Sequence, residues 1–226
     1  MIIYFVILMV IPMWAQHKVK SNYEKYSQVR STSGKTGREV AEEILHANGI
    51  YDVDVVKGDG FLTDHYDPSK KVVCLSPANY DRPSVAGTAI AAHEVGHAIQ
   101  HQQGYAPLRF RSALVPLANI GSSLSYIVIM LGIVLTAFGS VFGSTALWIG
   151  AGLMSLAVLF SIVTLPVEFN ASSRAMKQIT ALNIVNEKEY KHAKKVLSAA
   201  AMTYVASTAV ALAELARIIL LARSSD

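Results

Sequence analysis

The run His93-Glu94-Val95-Gly96-His97 is the part of this chain best suited to chemistry. Two imidazoles four residues apart lie on one face of a helix, about a turn from each other. At that spacing both can reach a single zinc ion. The intervening Glu94 then stands beside the ion's open position, where a carboxylate can act as a general base. The pattern is that of zinc-assisted hydrolysis, with His93 and His97 as ligands and Glu94 as proton acceptor. The flanks favour the helix this requires. Ala89-Ile90-Ala91-Ala92 precede the motif and Ala98-Ile99 follow it, and alanine is the best helix former. Ser84 is a fitting N-cap and Gly104 a stop, so a helix is predicted over roughly 84–103.

A catalytic zinc site usually takes three protein ligands and keeps a fourth position open. The longer motif that supplies a third histidine is broken here. Gln100 stands where it needs Gly, and Gln103 where it needs His. A more distant donor is required, and His101, Glu168, Glu187, Glu189 and His192 are open. Glu168 is preferred. It follows an apolar segment directly, in Pro166-Val167-Glu168-Phe169-Asn170, and a helix starting there would hold it in the first turn. His101 roughly continues the face of His97 and reads as a supporting or surface residue. Glu187, Glu189 and His192 read as a solvated helix face. Cys74 is the single cysteine, which excludes an intrachain disulfide. It lies in an apolar run and reads as a buried thiol in preference to a ligand.

The rest of the chain must position these groups. Of 226 residues, 52% are hydrophobic and 16% charged. With a mean hydropathy of +0.37, that is too apolar for an ordinary soluble domain. The net charge is +4. The basic residues cluster beside apolar segments, which points to a lipid bilayer as partner and away from nucleic acid. Residues 2–16 read as a short, uncleaved N-terminal anchor interrupted by Pro12. Residues 17–112 form the polar catalytic segment. Within it a helix is predicted from Gly37 to Asn48 and strands near 51–56 and 71–76. Residues 113–167 read as a transmembrane hairpin with a short link at 139–144. Residues 168–197 are polar and carry the expected third ligand, and 198–222 form a last span containing Glu214 and Arg217. The fold class is therefore a mainly α membrane protein with a small α+β catalytic domain. Lys and Arg crowd 17–38, 109–111 and 174–195. The positive-inside rule places the catalytic segments in the cytoplasm, and the hairpin returns residue 168 to the side of His93.

Three stretches carry a resemblance. They are Gly60-Phe61-Leu62-Thr63-Asp64-His65-Tyr66-Asp67-Pro68, Ala91 to Gln100, and Leu165-Pro166-Val167-Glu168-Phe169-Asn170-Ala171-Ser172. With the membrane segments, the chain resembles the bacterial membrane-bound neutral zinc metallopeptidases of the YugP-like family, and more distantly the HtpX-type membrane proteases. The resemblance implies a zincin-like (gluzincin) catalytic domain at the bacterial cytoplasmic membrane and one Zn2+ per chain. It implies His93, His97 and Glu168 as ligands, Glu94 as base, and a protein or peptide as substrate. One position departs from the HtpX-type pattern. Ser172 stands where an Asp usually follows the Glu by four residues. A carboxylate that orients a ligating histidine is then either absent or supplied from elsewhere, with Asp64 and Asp67 as candidates.

An oxyanion forming on the scissile carbonyl needs a donor, for which His65, Tyr66 and Arg174 are candidates. Val72, Val73, Cys74 and Leu75 precede the motif helix and form either an edge strand that could bind an extended peptide by strand addition or an ordinary core strand. Gly96 either lets a strand or substrate approach the helix or serves packing. The alternative class is a membrane scaffold or chaperone adaptor that holds zinc and cleaves nothing, in which Glu94 would have no use. A transporter is weaker still, since Glu214 and Arg217 alone are ionisable within a span.

Overall fold

The computed structural model describes residues 2–225. The chain divides into two compact units. One is Met1–Leu108 with Val167–Thr203, and the other is Arg109–Pro166 with Tyr204–Asp226.

The first unit opens with α1 (Ile2–Ser27), a single helix that continues through the expected anchor boundary at residue 16. Its polar half buries Tyr23 and Tyr26. Next comes α2 (Gly37–Ala47), started by a capping box in which Thr36 and Glu39 each bond the other's backbone N–H. The spacing of Val40, Ala41, Ile44 and Leu45 puts all four on one buried face. Fully burying Ile44 or Leu45 contributes about 1.5–3 kcal/mol each.

Three short strands follow, β1 (Asp54–Lys57), β2 (His65–Asp67) and β3 (Val72–Leu75), in the order β1-β3-β2. β3 pairs parallel with β1 and antiparallel with β2. This decides between the two readings of Val72, Val73, Cys74 and Leu75 in favour of a core strand and against an edge. They form the central strand, with a hydrogen-bonded neighbour on each side, so no edge is free to add a peptide. Val73 and Leu75 are buried, which is why the segment is apolar. The outer strand β2 escapes a sequence reading because three residues are too few to show alternation.

After α3 (Pro77–Asp81) comes α4 (Val85–Gln102), the motif helix. Ser84 caps it as expected, its Oγ accepting from the Gly87 N–H at 3.0 Å. Val85, Ala89, Val95 and Ile99 of α4 share a core with α2, β3, Ala175 and Ile179, and Ala193 and Leu197.

The remaining helices are α5 (Ala106–Ala137), α6 (Phe142–Ala181) and α7 (Glu187–Ser224). Each is long and apolar enough to cross a bilayer. All three extend beyond their predicted apolar spans into polar sequence. α6 differs most from expectation, because it runs unbroken through Pro166. Proline removes one backbone donor, a loss that apolar helices tolerate. Glu168 therefore sits deep inside a helix and not in a first turn.

In the second unit small residues set the helix approach. A Cβ on Gly121 would stand 2.6 Å from the Leu153 carbonyl oxygen, and one on Gly132 would stand 2.9 Å from Leu147. Ile129, Leu147, Ala151, Ile218 and Ala222 form its core. Tyr126, Ile127, Leu131 and Phe142 point outward, as a lipid-facing surface requires. Glu214 and Arg217 pair at 2.8 Å.

Candidate metal centre

Helix α4 presents the side chains of His93 and His97 together. Their ring centroids are 4.8 Å apart and nearly perpendicular. Helix α6 brings Glu168 to them. Its Oε2 lies 3.3 Å from Nε2 of His93 and 3.6 Å from Nε2 of His97. Among the described residues His93, His97 and Glu168 form a group whose ligand atoms all fall within 4.8 Å. Ligands about 2.0–2.1 Å from a tetrahedral zinc stand roughly 3.3–3.4 Å apart. Two nitrogens and one oxygen suit zinc in element, and the oxygen's 3.3 and 3.6 Å to the nitrogens come close to that spacing.

What lets α6 come so close is Gly96. A Cβ there would lie 2.6 Å from the carbonyl oxygen of Ala171. Of the two readings of this glycine, the structure gives close packing, and the partner is α6.

The outer nitrogens of both imidazoles are engaged. Nδ1 of His93 lies 3.1 Å from Oγ of Ser172, one turn beyond Glu168 on α6. Nδ1 of His97 lies 3.0 Å from Oε1 of Gln100. The Gln100 amide has a fixed sense, because its Nε2 donates to the Val167 carbonyl at 2.8 Å, and that carbonyl can only accept. The same Nε2 donates to Oδ1 of Asn170, which also accepts from Nε of Arg174. Oε1 of Gln100 must therefore accept, so Nδ1 of His97 carries the proton. In the neutral ring Nε2 of His97 is then left with its lone pair, the form that ligates a metal, and in the protonated ring Nε2–H faces Glu168.

Gln100 and Ser172 are the residues whose part the sequence hid. Gln100 registered there only as a broken motif position and Ser172 only as a departure. Their one signal was helical spacing, three residues after His97 and four after Glu168. Asp64 and Asp67 do not orient the histidines. Asp64 accepts from the N–H and hydroxyl of Ser76 and from Asn79. Asp67 closes the turn at Ser69 and Lys70. A hydroxyl and an amide take the place expected for a carboxylate.

Charge in the centre is strongly coupled. Burial alone would lower the His97 imidazole. It is outweighed by the hydrogen-bonding carboxylate of Glu168 and by the charge of Glu94, which hold it above its ordinary 6.5. Burial alone would raise the Glu168 carboxyl, but the two imidazoles pull it far below the usual carboxylate range. Glu94 is buried on α4 between the two histidines.

The other sequence candidates lie as follows. The Tyr66 hydroxyl bonds Nδ1 of His101 at 2.8 Å, tying β2 to α4. Burial, with Asp52 and Asp67, pushes this phenol up to about 12, so it stays protonated. His65 is exposed, with Nδ1 at 2.8 Å from the Thr63 carbonyl. Arg174 holds Asn170 and, through a second nitrogen, Gln103 at 2.7 Å. Glu189 is not on a solvated face. It is buried and accepts from the N–H and hydroxyl of Thr32. His192 stacks on Tyr26. Cys74 is half-buried and outside the ligand group, and burial with Asp64, Asp59 and Glu94 pushes its thiol up, away from a ligating thiolate.

A protein family described as "Putative neutral zinc metallopeptidase" matches residues 1–223. The chain belongs to this family. As a member it is similar to the "Putative membrane protease YugP" of Bacillus subtilis (strain 168), at 46% identity over 208 residues, which covers 92% of this chain and 90% of that relative. No solved structure is detectably similar to this family member. The relative's name and the three long apolar helices agree that this is a membrane protein, and the family and the His–His–Glu group agree on zinc.

Proposed function

We propose that this chain is a membrane-bound zinc metallopeptidase that cleaves protein or peptide substrates at the cytoplasmic face of a bacterial membrane. The observation that carries the reading is the convergence of Nε2 of His93, Nε2 of His97 and a Glu168 oxygen beside Glu94. In this reading those three hold one Zn2+. When bound, zinc supplies Lewis acidity, acidifying water and polarising the scissile carbonyl. Glu94 takes the proton of the attacking water and passes it to the leaving amine. Gln100 holds the His97 imidazole in the tautomer that keeps its Nε2 bare, and the Ser172 hydroxyl bonds Nδ1 of His93 and orients that ring. Tyr66, protonated and fixed to α4 through His101, is the favoured donor to the oxyanion. An extended substrate is best placed along the outer strand β2, the strand that Tyr66 ties to α4.

The test is cleavage of an unfolded protein in detergent by wild type and Glu94→Gln, with zinc content and melting temperature followed alongside. Glutamine is nearly isosteric and accepts no proton, so kcat should fall on the order of 10²–10⁴-fold while zinc and melting hold. Equal cleavage by both proteins refutes the role of Glu94. Zinc retained by both with no cleavage by either favours the scaffold.

A further inference from the structure

The polar ends of α1 and α7 enclose a cleft of about 730 Å³ with Lys18, Lys25, Lys191, Lys194 and Lys195 in its wall. Lys18 and Lys25 are two turns apart on one face of α1. Tyr26 and His192 stack across the cleft's base with ring centroids 4.7 Å apart, so the two helices are held together. Among the described residues none of the five lysines forms an ion pair. Of the nearby acids, Glu24 pairs with Lys20 at 3.9 Å and Glu189 accepts from Thr32, and Glu187, at the start of α7, forms no ion pair with these lysines among the described residues. Five like charges around one hollow repel each other, and a bound anion would relieve that repulsion.

The position of the cleft says which anion. Lys18 follows the apolar run that ends at Ala15, and Lys195 precedes the one that opens at Ser198. The lysines therefore stand where both helices leave their apolar sequence, and Met202 closes the cleft on the apolar side. The Lys18 ammonium lies 4.8 Å over the ring of Trp14, an aromatic of the kind that marks a membrane–water interface. A soluble phosphate gains nothing from an apolar floor, whereas a phospholipid uses both ends. We propose that this cleft binds the headgroup of an anionic phospholipid, its phosphodiester among the lysines and its acyl chains directed past Met202.

The experiment is native mass spectrometry of the full chain in neutral detergent micelles, titrated with phosphatidylglycerol or phosphatidylcholine. Wild type should retain phosphatidylglycerol in preference. Lys191→Gln with Lys195→Gln should cut that preference roughly 30-fold, at about fivefold per lysine near an anionic headgroup. Lys191→Arg with Lys195→Arg keeps the charge and should keep the lipid, and so should Lys70→Gln, which removes an exposed lysine from a sheet turn. Three results overturn the proposal: no preference in wild type, a preference that survives the double Gln change, or its loss in the double Arg variant. Inorganic phosphate displacing phosphatidylglycerol at equal concentration would also overturn it, by making the ligand a soluble anion.

Discussion

Two helix contacts in this molecule use the same device for different ends. In the first unit Gly96 of α4 meets the carbonyl of Ala171. In the second, Gly121 of α5 meets the carbonyl of Leu153, and in both a Cβ would come within 2.6 Å of the oxygen. The second contact sets Gly121 against the Leu153 carbonyl and the Leu156 side chain, and involves none of the three groups of the candidate metal centre. The first carries Glu168, Ser172 and the Gln100–Asn170–Arg174 chain into contact with two histidines. Where close approach serves packing alone, its loss costs stability alone. Where it sets the spacing of ligand atoms, the same loss should cost metal as well.

The sharpest test removes Glu168, the ligand proposed on α6. Sharing the ~10–16 kcal/mol of a four-ligand structural zinc site equally gives about 3 kcal/mol per ligand. Glu168→Ala should therefore weaken zinc by at least on the order of 10²-fold in competition with a chromogenic chelator. Full retention of metal would move the third ligand to another residue and dissolve the contrast between the two contacts.

The glycines test the contrast directly. Gly96→Ala and Gly121→Ala should each destabilise by about 1–3 kcal/mol through overpacking. Only Gly96→Ala should also lower zinc affinity. Metal titration and thermal melting on both variants check this, and equal zinc affinity in the two would show that α6 does not set the ligand spacing.

Gln100→Ala leaves all three proposed ligands in place and frees the His97 ring. Zinc affinity should drop about 10–100-fold, the usual cost of losing an orienting partner. A Co2+-substituted sample should show a changed visible spectrum, which loss of fold alone would not mimic. An unchanged affinity and spectrum would mean that the tautomer of His97 is set some other way.

The smallest effect is on pH dependence without metal. His97 is held above its ordinary 6.5 in the folded chain. Its contribution is therefore complete below about 6.5 and is lost as pH rises through the folded value. Glu168 is held below its ordinary 4.5, so its contribution is present above 4.5 and is lost only as pH falls through its own folded value. The zinc-free protein should be most stable between about 4.5 and 6.5 and melt lower by pH 8. The zinc-loaded protein should show the opposite slope over the upper part of that range, as protons leave the imidazoles to the metal. Melting curves with and without chelator check the crossing. The glycine contacts of the second unit carry no titratable group and should not contribute to it.

Local patterns were legible in the chain because their physics is local. Helical periodicity put His93 and His97 on one face, Ser84 announced the start of α4, and the face of α2 and the three apolar helices followed from spacing and composition. The strand at 72–75 was legible as a strand, but its place was not. Alternation identifies extended backbone, while the order β1-β3-β2 depends on which segments pair, and that decided between edge and centre. The run of α6 through Pro166 was hidden for a related reason, since proline's local preference to start or break a helix yields to an apolar setting.

Sequence alone thus determined that two imidazoles and a carboxylate share one helix turn, because 3.6 residues per turn leaves them no other arrangement. It determined as well that three segments favour a bilayer. Only the tertiary structure decided which of five distant donors meets those imidazoles, and that an amide and a hydroxyl hold their outer nitrogens. Those answers depend on how close α4 and α6 can come, and that distance is set by a missing Cβ at Gly96 facing a carbonyl 75 residues further along the chain.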